Sequence, residues 1–190
     1  MKCDKCSYEI SEPEWIGTTS LLTCTNCGHA SEVRPDQLYT KEQIIKVIAA
    51  AFSGVGLGDG IGLFEAKAID NYEPEQFRNS RREQDEKLDW KKIPAAALAN
   101  HHSSLSFFDA DGMRFHLAAF MIASLRGEVE DPIFHLTLSG QLEQKFSTLN
   151  TEQVKAVIAY LRWCLSQSEY EYDHDCIEFA LASYWMKRLL

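Results

Sequence analysis

An almost uninterrupted apolar segment, FHLAAFMIASL at residues 115–125, is the feature that most limits how this chain can fold. Its polar residues are His116 and Ser124. A helix that is apolar on nearly every side cannot face water and has to lie inside a bundle. We therefore place this segment at the centre of a mainly α-helical domain. His116 is then expected to be a hydrogen-bonded core residue rather than a metal ligand, because no second ligand stands four residues further on.

Helix signals recur on both sides of this central segment. Residues that commonly start helices precede apolar or helix-forming runs at four places: Thr40, Pro94, Asn150 and Asp173. Among the remaining segments, SLSFF at 104–108 and IFHLTL at 133–138 have the composition of strands. The sequence thus predicts a mainly helical domain over residues 39–190, with these two segments as its possible strands.

Four cysteines near the N-terminus form two C-x-x-C pairs with 17 residues between the pairs. This spacing is typical of a structural zinc site, in which four thiolates leave no coordination position for water. The expected ligands are Cys3, Cys6, Cys24 and Cys27. Between the pairs, β-branched and aromatic residues favour short antiparallel strands, so residues 1–36 resemble a small β zinc ribbon. Gly28 suits the turn after the last ligand, and His29 is expected beside the site or in solvent.

Two disulfides or two redox pairs are the alternatives for these cysteines. The start of the chain, MKCDKCSYEI, has no apolar signal-peptide core, and the strand-to-helix setting of a redox pair is missing. Both points favour zinc. The remaining cysteines, Cys164 and Cys176, are interpreted as core residues of the helical domain.

The net charge is −9, from 28 acidic and 19 basic residues. This balance argues against direct binding to nucleic acid, which needs a basic face, and favours a basic protein as partner. Solubility alone is an equally good explanation of the acidity. No run of 18 apolar residues occurs, so we expect a cytoplasmic protein without membrane association.

The run GVGLGDGIGL at residues 54–63 carries a glycine at every second position from Gly54 to Gly62. A phosphate-binding loop needs a lysine after the last glycine and a strand before the first, and a dinucleotide loop needs a different glycine spacing. The run is therefore predicted to connect two helices, with Asp59 capping the second. DADGM at 109–113 does not fit a calcium loop and is predicted to be a turn and helix cap.

Three segments together resemble a bacterial family of domains of unknown function: LGDGIGLFEAKAID, DWKKIP and SSLSFFDADGMRFHLAAFMIASLRGE. The resemblance covers about residues 40–190. It implies a compact, mainly helical domain that occurs alone or behind small N-terminal modules. It implies no reaction and no functional residues.

Our leading functional hypothesis is a non-enzymatic binding protein, specifically an immunity-type inhibitor of a basic toxin such as a nuclease. It rests on SEYEYDHDCIEF at 168–179, which combines acids and aromatic residues without a base. Such a segment suits docking on a cleft rich in arginine and lysine. The predicted contacts are Glu169, Tyr170, Glu171, Tyr172, Asp173 and Asp175. An ordinary exposed loop and helix start explains the segment equally well.

Two other functions stay open at this point. The first is a zinc-ribbon adaptor or regulator in a nucleic-acid pathway, which requires a basic patch hidden by the average charge. The second is an enzyme of unknown reaction. Its candidate groups are Asp59, Asp109, Asp111, Arg114 and His116, which match no known catalytic pattern.

Overall fold

A three-stranded antiparallel sheet lies in the N-terminal part of the computed structural model, which describes residues 3, 5–7, 14–16, 19–24, 26–33 and 40–190. The strands are β1 (Glu14–Ile16), β2 (Thr19–Thr23) and β3 (Ala30–Val33), in the order β1-β2-β3. β1 and β2 lie between the two cysteine pairs, and β3 follows the second pair.

Residues 40–190 form a mainly helical domain, in which turns and loops join the helices. The helices are α1 (Lys41–Ala51), α2 (Leu63–Asp70), α3 (Glu75–Glu83), α4 (Ala95–Asn100), α5 (Ala110–Leu125), α6 (Ile133–Thr137), α7 (Leu142–Phe146), α8 (Thr151–Leu165) and α9 (His174–Ala180). Short 3₁₀ segments span Trp90–Lys92, His102–Ser106, Ser168–Asp173 and Met186–Leu189, and a π turn spans Leu181–Trp185. The prediction of a mainly helical domain is confirmed. Among the helices described, none has the length and apolarity needed to cross a bilayer.

The central helix of the domain is α5. Every residue from Phe115 to Leu125 is buried, and α1, α4 and α7 pack against it. His116 is among these residues: its Nδ1 lies 2.7 Å from the carbonyl oxygen of Gly112, and its ring stacks on Phe108 with centroids 4.3 Å apart. The prediction of a satisfied core histidine is therefore confirmed.

At three of the expected helix starts, the predicted capping residue forms its N-cap hydrogen bond. Thr40 and Asn150 each form a complete capping box with the glutamine three residues later. Asp109 is the N-cap of α5 and accepts the N–H of Gly112 at 2.8 Å. These caps supply partners for amide groups that lack one inside the helix.

Both segments predicted as strands are helical instead. Residues 133–137 form α6, where Asp131 accepts the N–H of Ile133 at 2.9 Å and the Thr137 hydroxyl donates to the Ile133 carbonyl at 2.9 Å. Most of 104–108 lies in the 3₁₀ segment ending at Ser106. The Lys145 ammonium donates to the carbonyls of Ser106 and Phe108, at 2.7 and 2.6 Å, so a group 37 or more residues away holds this turn. Local β propensity is overridden by these contacts.

Candidate functional site

The four N-terminal cysteines lie together. Cys3 and Cys24 are buried, and the four sulfurs all lie within 4.8 Å of one another. The Sγ atoms of Cys3 and Cys27 are 3.7 Å apart, and those of Cys6 and Cys24 are 3.5 Å apart. A disulfide requires about 2.05 Å, whereas the edge of a tetrahedron with metal–sulfur bonds of about 2.3 Å is about 3.8 Å. The cluster could thus hold a metal ion, and its spacing excludes disulfides in this arrangement.

The backbone around the two pairs repeats the same turn. The N–H of Ser7 donates to the Cys3 carbonyl at 2.8 Å, and that of Gly28 donates to the Cys24 carbonyl at 2.8 Å. Ser7 and Gly28 both adopt the left-handed conformation, with φ of 57° and 67°. The turn expected of Gly28 is confirmed. Each pair is therefore shaped to direct two sulfurs to one point.

Polar groups beside the cysteine cluster restrain it further. The Asn26 side-chain amide donates to Cys6 Sγ at 3.6 Å, and the carbonyl of His29 accepts the N–H of Cys24 at 2.9 Å. The His29 contact is made by its backbone, and its side chain is half-buried. Such outer contacts orient metal ligands.

A second candidate site follows the helical segment from Ser168 to Ala180. Five of its exposed residues recur at intervals of three and four, so they lie on one side. We name them the acidic–aromatic face: Glu171, Tyr172, Asp175, Glu178 and Phe179. Tyr172 is 98% exposed and Phe179 is 60% exposed. The opposite side, with Ile177 and Ala180, is buried in the core.

Two of the predicted contact residues are placed differently from Tyr172. Tyr170 is 9% exposed and its ring meets Trp163 edge to face, with centroids 6.3 Å apart. Asp173 is half-buried, close to Asp131, where burial and the Asp173 charge both raise the pKa of the Asp131 carboxyl. Glu169 is exposed at the start of the segment. The interpretation of Tyr170 as a surface residue is therefore wrong, because it anchors the segment to α8.

The segment that bears this face belongs to an acidic part of the sequence. Residues 127–180 contain ten acidic and three basic residues and so carry −7 of the total charge of −9. Two of the three basic residues, Lys145 and Arg162, are buried. α6 packs against α9 and adds Phe134, which is 64% exposed. Residues 168–180 hold five acids and neither lysine nor arginine, so the acidic–aromatic face is acidic, with Tyr172 and Phe179 exposed on it.

The groups considered for catalysis have structural roles or face solvent. Asp109 binds backbone amides, and burial lowers the pKa of His116 to about 4. Asp59 and Asp111 are exposed, and Arg114 is half-buried on α5. Asp59 does not cap α2, contrary to prediction. Asp85 caps it instead, accepting the N–H groups of Phe64 and Glu65 at 2.7 and 3.3 Å.

Cysteine predictions in the helical domain are half right. Cys164 is buried in the core, whereas Cys176 is exposed on α9, where its thiol donates to the Asp173 carbonyl at 3.1 Å. The helical period explains the difference, because Cys176 lies on the solvent side next to Asp175.

Comparison with known proteins places residues 40–189 in a family described as a family of unknown function (DUF6714). The match covers 150 of the 190 residues and begins after the cysteine pairs. It agrees in extent with the segments that suggested a family resemblance. Neither the curated proteins nor the solved structures contain a match to the chain.

Proposed function

The chain belongs to this family of unknown function, and from its surface we propose that it is a non-enzymatic binding protein that docks on a basic protein through the acidic–aromatic face. The observation that carries this proposal is the composition of the segment that bears the face, since residues 168–180 hold five acids and neither lysine nor arginine. Of the net charge of −9, −7 arises in residues 127–180, which include exposed Phe134, Tyr172 and Phe179. Acidity spread for solubility alone does not require exposed aromatic rings among the carboxylates.

The combination has a clear use in recognition. Exposed carboxylates accelerate encounter with a basic surface, and aromatic side chains supply much of the affinity once water is displaced. Nucleases expose basic clefts because their substrates are polyanions. An immunity-type inhibitor that covers such a cleft is therefore the form of the function that we propose. Buried Tyr170 and half-buried Asp173 support the segment from beneath and are not contacts in this proposal.

We further propose that the cysteine cluster holds one structural Zn²⁺ within a zinc ribbon. Four thiolates satisfy tetrahedral zinc and leave no position for a substrate or water. The ion would stabilise the turns at Cys3–Ser7 and Cys24–Gly28. The sulfur spacings of 3.5 and 3.7 Å support this assignment.

The docking proposal is tested by charge reversal. In the test variant, Glu171, Asp175 and Glu178 are changed to lysine. In a control variant with the same change in net charge, three exposed acids of α1 and α3 are changed to lysine: Glu42, Glu75 and Glu83. Basic proteins captured from the native cell by wild type and by the control, but lost by the test variant, support the proposal. Equal capture by all three proteins contradicts it.

Kinetics with a captured partner separate docking from general electrostatic attraction. The association rate should fall with added salt, since the Debye length shortens from about 10 Å at 0.1 M to about 3 Å at 1 M. Tyr172→Ala should leave this rate nearly unchanged and accelerate dissociation, because aromatic contacts act after encounter. If the partner is a nuclease, wild type and the control variant should inhibit its activity, and the test variant should not. That result would identify the protein as an inhibitor. Nucleic acid as the captured species contradicts the proposal.

A further inference from the structure

A groove lies on a different side of the helical domain, between α1 and α4, with α5 as its floor. Its volume is about 300 Å³. The apolar lining includes Ile45, Ala49, Trp90, Leu98, Ala119 and Ala123. None of these residues belongs to the acidic–aromatic face.

The groove has a hydrophobic interior large enough for a small organic molecule. Alanines from α1 and α5 line it, so the helices leave space between their backbones instead of filling it with side chains. Trp90 is held in place, since its indole N–H donates to the Phe52 carbonyl at 2.8 Å. A cavity of about 150 Å³ accommodates benzene. The volume here accommodates a body of about two fused rings, at the small end of natural ligand pockets.

The rim of the groove differs in charge from the rest of the molecule. Lys91, Arg126 and Glu128 surround it, which gives a local charge of +1 in a protein of net charge −9. The Lys91 ammonium lies 5.5 Å from the centroid of the Trp90 ring. Neither Lys91 nor Arg126 forms an ion pair within the part of the chain that the structure describes. Two exposed cations thus stand above an apolar, aromatic-backed interior.

We propose that this groove binds a small aromatic carboxylate, with its rings against Trp90 and the alanines and its carboxylate between Lys91 and Arg126. Apolar surface and a few convergent polar groups are the usual composition of small-molecule sites. The cation pair sets the sign of the ligand's charge, and the small volume limits the ligand to about two rings. This site is independent of docking on a basic protein.

Three probes of the same ring and chain length test the ligand class: 2-naphthylacetate, 2-(2-naphthyl)ethanol and 2-(2-naphthyl)ethylammonium. Each is titrated to about 1 mM into the full chain while methyl NMR signals of Ile45 and Ile122 are followed. The carboxylate should give saturable shifts at these methyls and bind more tightly than the alcohol. The ammonium compound should bind most weakly. No shift with any probe, or equal binding of all three, overturns the proposal.

Variants separate the interior from the rim. Ala119→Leu and Ala49→Leu, made separately, should abolish binding of the carboxylate and the alcohol because each fills the groove. Arg126→Gln should weaken only the carboxylate, by about two- to fivefold, as expected of one exposed ion pair. Lys155→Gln, on exposed α8 surface, is the matched control and should change neither. If Arg126→Gln lowers the affinity for the carboxylate and for the alcohol equally, the carboxylate does not lie beside Arg126 as proposed. NMR shifts confined to residues outside the groove contradict the ligand class. Binding of an apolar peptide in the groove, with no binding of the carboxylate, contradicts it as well.

Discussion

The carboxylate of Asp109 accepts the N–H of Ile61 at 2.9 Å, although 48 residues separate them. The same oxygen accepts the N–H of Gly112, so one side chain caps α5 and holds the glycine run against it. Arg82 extends this connection with bonds to the carbonyls of Gly58 and Gly60 and, at 2.7 Å, to Glu65. The glycine run therefore connects α1 and α2, as predicted, and these bonds hold it at Gly58, Gly60 and Ile61.

Gly60 should be intolerant of a side chain. A Cβ atom there would lie 2.5 Å from the Gly112 nitrogen and 2.8 Å from the Asp111 carbonyl carbon, which are backbone atoms and cannot rotate away. Gly60→Ala should lower the free energy of unfolding by about 1–3 kcal/mol. Gly140→Ala is the control, because a Cβ there meets no atom within 4 Å. Urea unfolding curves compare them, and equal stability of the two variants would show that the loop can move away from α5.

Removal of the Asp109 carboxylate should also destabilise the domain. Asp109→Ala leaves two backbone N–H groups without their acceptor, and we expect a loss of about 1–2 kcal/mol in unfolding free energy. Asp109→Asn should lose less, since its side-chain oxygen can still accept. The control is Asp111→Ala, which removes an exposed acid from the first turn of α5 and should cost about 0.3–1 kcal/mol. A greater loss for Asp111→Ala than for Asp109→Ala contradicts the assigned role.

Stability should decrease as the solution is acidified below about pH 6.5. Burial lowers the pKa of His116 from 6.5 to about 4, so the unfolded chain takes up a proton at a pH where the folded chain does not. Stability from this residue is complete above pH 6.5 and falls by about 1.4 kcal/mol per pH unit towards pH 4. Urea unfolding at pH 7 and pH 5 should therefore show a smaller acid-dependent loss in His116→Gln than in wild type. Equal losses would assign the pH dependence to other groups.

The sequence predicted the elements whose causes are local. The all-round apolar pattern placed α5 in the core, and the capping residues Thr40, Asp109 and Asn150 marked helix starts correctly. Two of the errors arose where the deciding partner is far along the chain. Asp85 caps α2 from 20 or more residues away. Lys145 stabilises the turn within 104–108, a segment whose own composition had suggested a strand. No local pattern reveals such partners.

The cysteine cluster could be predicted from local sequence, whereas the acidic–aromatic face could be predicted only in part. Cysteine spacing identified the cysteine cluster, because its members recur in two short motifs. The composition of 168–179 indicated an acidic and aromatic surface but could not show which of its residues are exposed and which are buried. That assignment requires the packing of the 3₁₀ segment on α8, which buries Tyr170, and the packing of α9, which exposes Phe179. Phe179 lies on the solvent side seven residues after Tyr172, so helical periodicity would have included it.

Loss of the proposed zinc ion should unfold the proposed ribbon and leave the helical domain folded. Cys24→Ser removes one of four proposed thiolate ligands, and structural zinc sites supply the folding energy of small modules. We expect about one zinc per chain in wild type by elemental analysis and substantially less in Cys24→Ser. The helical circular dichroism signal and its melting temperature should change little, since the apolar core lies within residues 44–185. Cys176→Ser, which alters an exposed cysteine outside the cluster, is the control and should retain its zinc. Wild-type protein purified without chelators and free of zinc would contradict the assignment.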